Sequence, residues 1–152
     1  EIVDSDCLDG GCGGLANRVI HKNDNGLGVG AGSGGLDLLS QVDGFFGNDL
    51  ITFSFDTVVD FGSIFFTDVD GNDDFDLFVD GELVSEDVNI ASSNPFFGTL
   101  SGSSFSFGAD GSFDNFRIGS LTVSVAAVPL PAGGLLLLGG LGGLMVMRRR
   151  KG

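Results

Sequence analysis

The sequence lacks several side chains on which enzymes and sugar-binding proteins commonly depend. It has no Trp, no Tyr and a single His, at position 21. Any Ser–His–Asp or Cys–His arrangement would have to use His21, which stands beside Lys22 in a polar stretch that favours a surface position. Glu82 and Glu86 are the residue types of a glycosidase pair, but no Trp or Tyr is present to stack against a sugar ring. The composition therefore argues against an enzyme.

Basic residues are also scarce, and their distribution divides the chain into two parts. Twenty-one Asp and Glu oppose seven Lys and Arg, a formal net charge of −14. Binding to phosphates needs clustered Lys and Arg, so the sequence argues against a nucleic-acid partner. Before Val128, the 21 acidic residues are opposed by only three basic ones, a net charge of −18. The other four cations form a basic tail of Arg148, Arg149, Arg150 and Lys151.

The C-terminal region predicts a short transmembrane helix. No ionisable side chain occurs in residues 118–147, and the apolar span 132–147 would be about 24 Å long as a helix. A hydrocarbon core is roughly 30 Å thick, so snorkelling arginines and local thinning would have to cover the difference. The basic tail would stay in the cytoplasm, which places the acidic part outside. The alternative is a buried C-terminal helix of a soluble protein, but the span has no polar stripe to face solvent.

The residues around this span resemble a known sorting signal. The motif Val128, Pro129, Leu130, Pro131 and Ala132 precedes a Gly- and Leu-rich span and then the basic tail. This order closely resembles the VPLPA-type C-terminal sorting signal, a variant of the bacterial PEP-CTERM signals that exosortases handle. The resemblance covers residues 128–151, about a sixth of the chain.

The resemblance implies a route for the protein. An exosortase-like transpeptidase or protease would recognise the signal in the membrane, cut near residues 128–132, and release the protein or attach it to the cell surface. The N-terminal part would lie outside the inner membrane during sorting. Such proteins are typical of Gram-negative bacteria that make exopolysaccharide. Export also predicts a signal peptide upstream of Glu1, since residues 1–6 are acidic where a signal peptide is basic and then apolar.

Residues 1–127 predict an acidic, antiparallel β-sandwich or jelly roll with a core of phenylalanine. Alternating residues mark strands at 50–56, 63–69, 75–80, 103–108 and 115–125, with shorter strands at 82–85 and 88–91. Their spacing of roughly ten residues, with no helix outside the tail, is typical of this fold. Asp-Gly turns are predicted at 70–71, 80–81 and 110–111, where Gly accepts a positive φ. A glycine-rich loop at 26–35 would separate strands at 17–22 and 36–41.

The alternation also predicts which side chains face the core. In the 75–80 strand, Phe75, Leu77 and Val79 would point inward and Asp76 outward. In the 115–125 strand, a bulge at 119–120 would keep the apolar side chains on one face. Those side chains are Phe116, Ile118, Leu121, Val123 and Val125. Residues 50–81 and 114–123 are also similar to the β-sandwich ectodomains usual in PEP-CTERM proteins.

The densest set of oxygen ligands lies between two predicted strands. Residues 68–76 include Asp68, Asp70, Asn72, Asp74 and Asp76. Calcium takes about six to eight oxygen ligands, and the first three of these residues have the spacing of an EF-hand loop. An EF-hand is rejected because its sixth position is Asp73 rather than Gly and its twelfth is Val79 rather than Glu. Two interpretations stay open: a calcium site in a sandwich loop, or a solvated turn whose carboxylates keep the sheet edges unpaired.

Two further patterns concern cysteine and glycine. Cys7 and Cys12 enclose Leu-Asp-Gly-Gly, and in an exported protein such a pair predicts a disulfide. A zinc site is not expected, because His21 is the only other soft ligand. Residues 30–35 match G-x-G-x-x-G, but a dinucleotide site needs a βαβ unit that this sequence does not predict.

Together these features predict a non-enzymatic surface or extracellular-matrix protein that a C-terminal signal sorts. The chain would comprise a β-sandwich at 1–127 and the sorting signal at 128–152. The alternative is a calcium-dependent carbohydrate-binding module that acts on exopolysaccharide. The expected partners are the exosortase-like enzyme and the membrane during sorting, and calcium is the one candidate cofactor.

Overall fold

The computed structural model describes residues 2–7, 18–31, 40–45 and 48–125. This part of the chain is mostly antiparallel β-sheet with almost no helix, as the sequence predicts. It forms ten strands and one single-turn helix. They are β1 (Ile2–Cys7), β2 (Arg18–Asn23), β3 (Gly26–Ala31), β4 (Val42–Asp43), β5 (Asp49–Thr67), β6 (Asp74–Val79), β7 (Glu82–Asn89), α1 (Ile90–Ser93), β8 (Phe96–Phe97), β9 (Ser101–Gly108) and β10 (Asn115–Val125).

The strands form one hydrogen-bonded sheet in the order β2-β3-β10-β5-β9-β6-β7. The three remaining strands lie off this path: β1 and β8 pair with β5, and β4 pairs with β10. Every pairing is antiparallel. Strands β10 and β5 hold the centre although they are far apart in the sequence, so the sheet is built from non-local pairs.

Strand β5 joins two parts of this sheet. The predicted strands 50–56 and 63–69 belong to this one strand, which is 19 residues long and ends at Thr67. Its first half pairs with β1 and β9, and its second half pairs with β10, with β8 and, at Val59 and Asp60, again with β9. Between Ser54 and Val59 the register against β9 shifts, which introduces a bulge. A bulge bends the strand and increases its twist, so the two halves can run in different parts of the sheet.

The core is built largely from phenylalanine rings, as predicted. Phe66 on β5 lies 4.7 Å from Phe75 on β6 and 5.0 Å from Phe116 on β10, measured between ring centroids. Phe61 on β5 lies 5.5 Å from Phe105 on β9. Rings from four strands therefore belong to one core.

Most inward-facing predictions are confirmed, and two are wrong. Phe75 and Leu77 are buried and Val79 packs against the core, while the predicted bulge shifts the register between Ile118 and Ser120. Asp76 is buried rather than outward, because its carboxylate accepts a hydrogen bond from the Asp87 amide at 2.9 Å. Val125 is 71% exposed, since the apolar face of β10 leaves the core after Val123.

The glycine-rich loop expected at 26–35 is wrong for its first six residues, which form strand β3. A Cβ on Gly28 would lie 2.0 Å from the carbonyl oxygen of Ser40, and one on Gly26 would lie 2.5 Å from that of Ile118. These glycines therefore permit close backbone contact inside a strand. The predicted strand 17–22 is confirmed as β2. Of the predicted strand 36–41, residues 36–39 lie outside the described residues, and residues 40 and 41 are not in a strand.

The predicted strand 82–85 and the first two residues of the predicted strand 88–91 belong to β7, whereas residues 90 and 91 were expected in a strand and instead begin the helix α1. Asn89 caps that helix by accepting a hydrogen bond from the Ser92 amide at 3.1 Å. The predicted Asp80-Gly81 turn is confirmed, with positive φ at both residues. The prediction of a positive φ at Gly71 and Gly111 is wrong.

Candidate functional site

The predicted oxygen ligands lie in and beside the turn that joins β5 to β6, residues 68–73, here called the acidic turn. Asp68, Asp70 and Asn72 lie in the turn itself. Asp74 and Asp76 lie in β6. The structure directs these five side chains to different partners.

Asp68 forms an ion pair with a distant cation. Its Oδ2 lies 2.9 Å from Nε of Arg117, whose side chain is almost completely buried in β10. The side-chain amide of Asn25, in the β2–β3 turn, also donates to both carboxylate oxygens, at 2.9 and 3.2 Å. Asp68 has a φ of +53°, a conformation that Asp tolerates better than most residues. This residue ties the acidic turn to two other parts of the sheet.

Asp70 and Asn72 interact within the acidic turn, whereas Asp74 contacts Asp114. Asp70 accepts a hydrogen bond from the backbone amide of Asn72 at 3.1 Å, which closes a local Asx turn. The backbone amide of Asp74 donates to Oδ1 of Asp114 at 3.3 Å. Asp70 remains exposed, and Asp74 is half-buried.

Asp76 belongs to a separate group of acids. Burial raises the pKa of Asp76, the hydrogen bond from the Asp87 amide opposes that rise, and repulsion from Asp110, Asp87 and Glu86 adds to it. Its carboxylate therefore interacts with β7 rather than with the acidic turn.

Within residues 18–125, wherever side chains are described, no three His, Cys, Asp or Glu side chains are arranged to hold a metal ion. The five residues of the calcium prediction divide between Arg117, the local turn and β7. Calcium binding remains a prediction from the sequence.

Asp73 is the residue that sequence reasoning missed. It is fully buried, and its carboxylate accepts hydrogen bonds from the backbone amides of Asp70 and of Asn115, the latter at 3.1 Å. Burial raises the pKa of Asp73, both hydrogen bonds oppose the rise, and repulsion from Asp70 and Asp74 adds to it. One feature of the sequence could have identified Asp73: it occupies the position where an EF-hand requires Gly. An Asp in a turn often accepts hydrogen bonds from nearby backbone amides.

Asp114 lies in the connection between β9 and β10 and contacts two neighbouring segments of the chain. Its backbone amide donates to the Gly111 carbonyl at 3.0 Å, and its own carbonyl accepts from the Gly44 amide at 3.4 Å. A Cβ on Gly111 would lie 2.0 Å from Oδ2 of Asp114, and one on Gly44 would lie 2.3 Å from the Gly111 oxygen. Glycine at 111 therefore provides space for the carboxylate. Burial raises the pKa of Asp114, and repulsion from Asp74 and Asp110 contributes.

These segments enclose a cleft of about 270 Å³, here called the aromatic cleft. Its charged walls are Asp43, Asp70 and Asp114. Phe45 and Phe113 flank it and are 62% and 79% exposed. Its neutral polar lining consists of Asn72, Ser112 and Asn115. No pattern in the sequence predicted that residues 43–45 and 112–115 would meet here.

The residues weighed for catalysis lie elsewhere. Glu82 and Glu86 lie on β7, four residues and about 13 Å apart along an extended strand, which exceeds the usual carboxylate separation of a glycosidase. His21 is half-buried on β2, with its ring beside Gly30, rather than on the open surface as expected.

The predicted sorting motif, transmembrane span and basic tail, at 128–132, 132–147 and 148–151, lie outside the described residues. So does Cys12 of the predicted disulfide, while Cys7 ends β1. No helix in the described part of the chain is long and apolar enough to cross a membrane.

Comparison with protein-family models, with curated proteins and with solved structures finds no match to this chain.

Proposed function

We propose that this chain is a non-enzymatic surface or extracellular-matrix protein, exported and then sorted by its C-terminal segment. The observation that carries the proposal is the junction between the sheet and the motif. Central strand β10 continues to Val125, and the motif begins at Val128 after only two alanines. A cut within residues 128–132 would leave the described sheet intact, with only a few residues beyond it.

Charge supports the same orientation. The part before Val128 has 21 acidic and three basic residues, whereas the basic tail has four cations. A basic cluster after an apolar span stays in the cytoplasm, so the sheet would face outward. The partners would be an exosortase-like transpeptidase or protease and the inner membrane during sorting, and the final location would be the cell surface or the extracellular matrix.

The finer description of the fold is a β-sandwich of the jelly-roll kind. It is supported by the bulge in β5 and by the rings that meet across it, such as Phe61 with Phe105. Two packed sheet layers bury one face of each strand and leave the other face to solvent.

Mass spectrometry of the mature C-terminus tests the proposal. The full precursor is produced in a Gram-negative host with and without a VPLPA-type exosortase. With the enzyme, surface protein should end within residues 128–132. Replacing Pro129 and Pro131 with Ala should retain the tail, whereas Ala126→Ser with Ala127→Ser, just upstream, should be processed normally. Surface-exposed protein that still carries residues 148–151 would contradict the proposal.

A calcium-dependent carbohydrate-binding module acting on exopolysaccharide is the second candidate. The observation in its favour is the repulsion among acids: burial raises the pKa of Asp73 and of Asp114, and repulsion from the Asp74 carboxylate adds to both rises. A divalent cation near them would relieve that repulsion. Calorimetric titration of the full chain with calcium should then release heat that Asp70→Ala with Asp74→Ala abolishes. No heat at millimolar calcium would remove this candidate.

A further inference from the structure

The two outer strands of the sheet path carry opposite charges. In the described part of the sheet, β2 hydrogen-bonds only with β3 and β7 only with β6, so each outer strand leaves one row of backbone groups without a strand partner. β2 carries Arg18 and Lys22 and no acidic residue. β7 carries Glu82, Glu86 and Asp87 and no basic residue. One edge is therefore basic and the other acidic.

The positive charge of the sheet is concentrated on β2. Arg18, Lys22 and Arg117 are the only Lys and Arg residues before Val128. Arg117 is almost completely buried and is paired with Asp68. The two remaining cations both belong to β2, and the Lys22 side chain is exposed. An acidic strand edge therefore finds opposite charge in this part of the chain mainly at β2.

Both outer strands also expose apolar side chains. Leu83 and Val84 on β7 are 47% and 44% exposed, and because successive side chains of a strand point to opposite faces, both faces of β7 are accessible. On β2, Val19 is 38% exposed. An open strand edge that presents apolar side chains is a site where another chain can add a strand.

The charges on the two edges have the same spacing along the chain. Arg18 and Lys22 are four residues apart, as are Glu82 and Glu86, which is about 13 Å in an extended strand. The register of β7 against β6 shifts at two points, and such irregularity weakens pairing at an edge. Charge complementarity must therefore select the partner strand, and the association is expected to be weak.

We propose that copies of this protein associate head to tail, with the acidic edge β7 of one copy against the basic edge β2 of the next. Because the two edges are different surfaces, each associated pair still presents one β2 edge and one β7 edge, so a chain of copies can grow. Pairing of β7 with β7, or of β2 with β2, would instead bring like charges together. This interaction goes beyond the sorting proposal and does not depend on whether the C-terminal signal is read.

Sedimentation of charge variants tests the association. The full chain is studied from low to high micromolar concentration in a density-matched neutral detergent, at low salt and with a chelator to exclude calcium. The unsubstituted chain should associate as its concentration rises, and added salt should weaken the association. Arg18→Glu with Lys22→Glu makes both edges acidic, whereas Glu82→Lys with Glu86→Lys makes both basic. Each double variant should self-associate at least about tenfold more weakly.

Exchanging the charges is the decisive comparison. An equimolar mixture of the two double variants should associate, because an acidic edge again meets a basic one, and so should the chain that carries all four substitutions. The control is Asp56→Lys with Asp110→Lys, which adds the same charge as the β7 variant at exposed positions outside β2 and β7. This control should associate like the unsubstituted chain.

Hydrogen exchange of the unsubstituted chain shows whether the strands pair. In mass spectra recorded at low and at high protein concentration, backbone amides of peptides covering β2 and β7 should exchange more slowly on association. Amides of the central strand β9 should exchange at the same rate in both. This measurement needs no substitution, so it decides the question even if a charge variant fails to fold.

Four outcomes would overturn the proposal. One is the absence of any association at high micromolar concentration and low salt. A second is equal association of the unsubstituted chain and both double variants, which would assign the contact to the C-terminal segment. A third is a mixture that does not associate although both variants keep the circular dichroism of the unsubstituted chain. The fourth is association without slower exchange in β2 and β7.

Discussion

Asp68 and Asp73 lie five residues apart in the same turn, yet the protein holds their carboxylates in opposite ways. Asp68 is partly exposed and faces the guanidinium of Arg117. Asp73 is fully buried and accepts hydrogen bonds from the backbone amides of Asp70 and Asn115. The Asp68 carboxylate is stabilised by a cation, and the Asp73 carboxylate by backbone N–H dipoles.

The difference has consequences for what each residue does. Desolvation is the largest influence on the pKa of Asp73 and raises it although two amides donate to the carboxylate. Asp73 therefore acts through its hydrogen bonds rather than through its charge. Its bond from the Asn115 amide holds the acidic turn against the start of β10. Asp68 instead connects the turn to the β2–β3 hairpin and to Arg117. Substitutions of Asp73, of Arg117 and of Asp70 should separate these two roles.

Asp73→Ala should produce the largest loss of stability, about 3 kcal/mol, because the buried amides of Asp70 and Asn115 would lose their acceptor. Urea unfolding of the full chain measures this. Asp73→Asn keeps one acceptor oxygen and should cost less than the alanine variant. If the two variants were equally destabilised, the carboxylate charge rather than its hydrogen bonds would be the important property.

Arg117→Met should cost about 2 kcal/mol, because it keeps the buried stem but removes the cation opposite Asp68. The loss is smaller than for a fully buried pair, since water reaches part of Asp68. A double-mutant cycle with Asp68→Asn isolates the pair, and its coupling energy should be about 1–2 kcal/mol. Strictly additive effects would show that the ion pair contributes nothing to stability.

The contrast between the two carboxylates could not have been predicted from the sequence. Both are Asp residues in one acidic run, and their partners Arg117 and Asn115 lie more than 40 residues away. Spacing along the chain predicted a turn rich in oxygen ligands at this position. Which oxygen faces an amide, a guanidinium or solvent depends on the pairing of β10 with β5 and β4, and local pattern does not specify that pairing.

The alternation of apolar and polar residues correctly predicted which side chains are buried where a strand buries one face. Ile51 and Phe53 alternate with half-buried polar residues as predicted, because the period of two is intrinsic to an extended chain. It failed where another segment imposed the conformation. Residues 26–31 form a strand in which Gly26 and Gly28 allow close approach of the Ile118 and Ser40 backbones. A glycine in the sequence does not show which segment will approach it.

Stability should rise from neutral pH into mild acid. Burial raises the folded-state pKa of Asp73, Asp76 and Asp114 above 3.8, so the folded protein binds their protons more tightly than the unfolded chain does. As pH falls towards 3.8, their protonation therefore favours folding. Below 3.8 the opposite applies to Asp80, whose pKa is lowered by hydrogen bonds from Ser103 and Ser104, and its contribution is lost as it protonates.

Urea midpoints between pH 7 and pH 3 would show this as a maximum in mild acid. In Asp114→Asn the rise in stability above pH 3.8 should be smaller, because one of the three contributing carboxylates is absent. In Asp80→Asn that rise should persist, whereas the fall at lower pH should be shallower. A midpoint that falls steadily from neutral pH would contradict the proposed direction for Asp73 and Asp114.

Asp70→Asn should have the smallest effect on stability, within about 0.5 kcal/mol of the unsubstituted protein. Its carboxylate is exposed and accepts only a local hydrogen bond from the Asn72 amide, which the asparagine oxygen can also accept. Urea unfolding alongside Asp73→Ala makes the comparison direct, because both residues belong to the acidic turn. A loss comparable to that of Asp73→Ala would mean that the turn depends on its total charge. A negligible loss means that the Asp70 charge is not needed for folding.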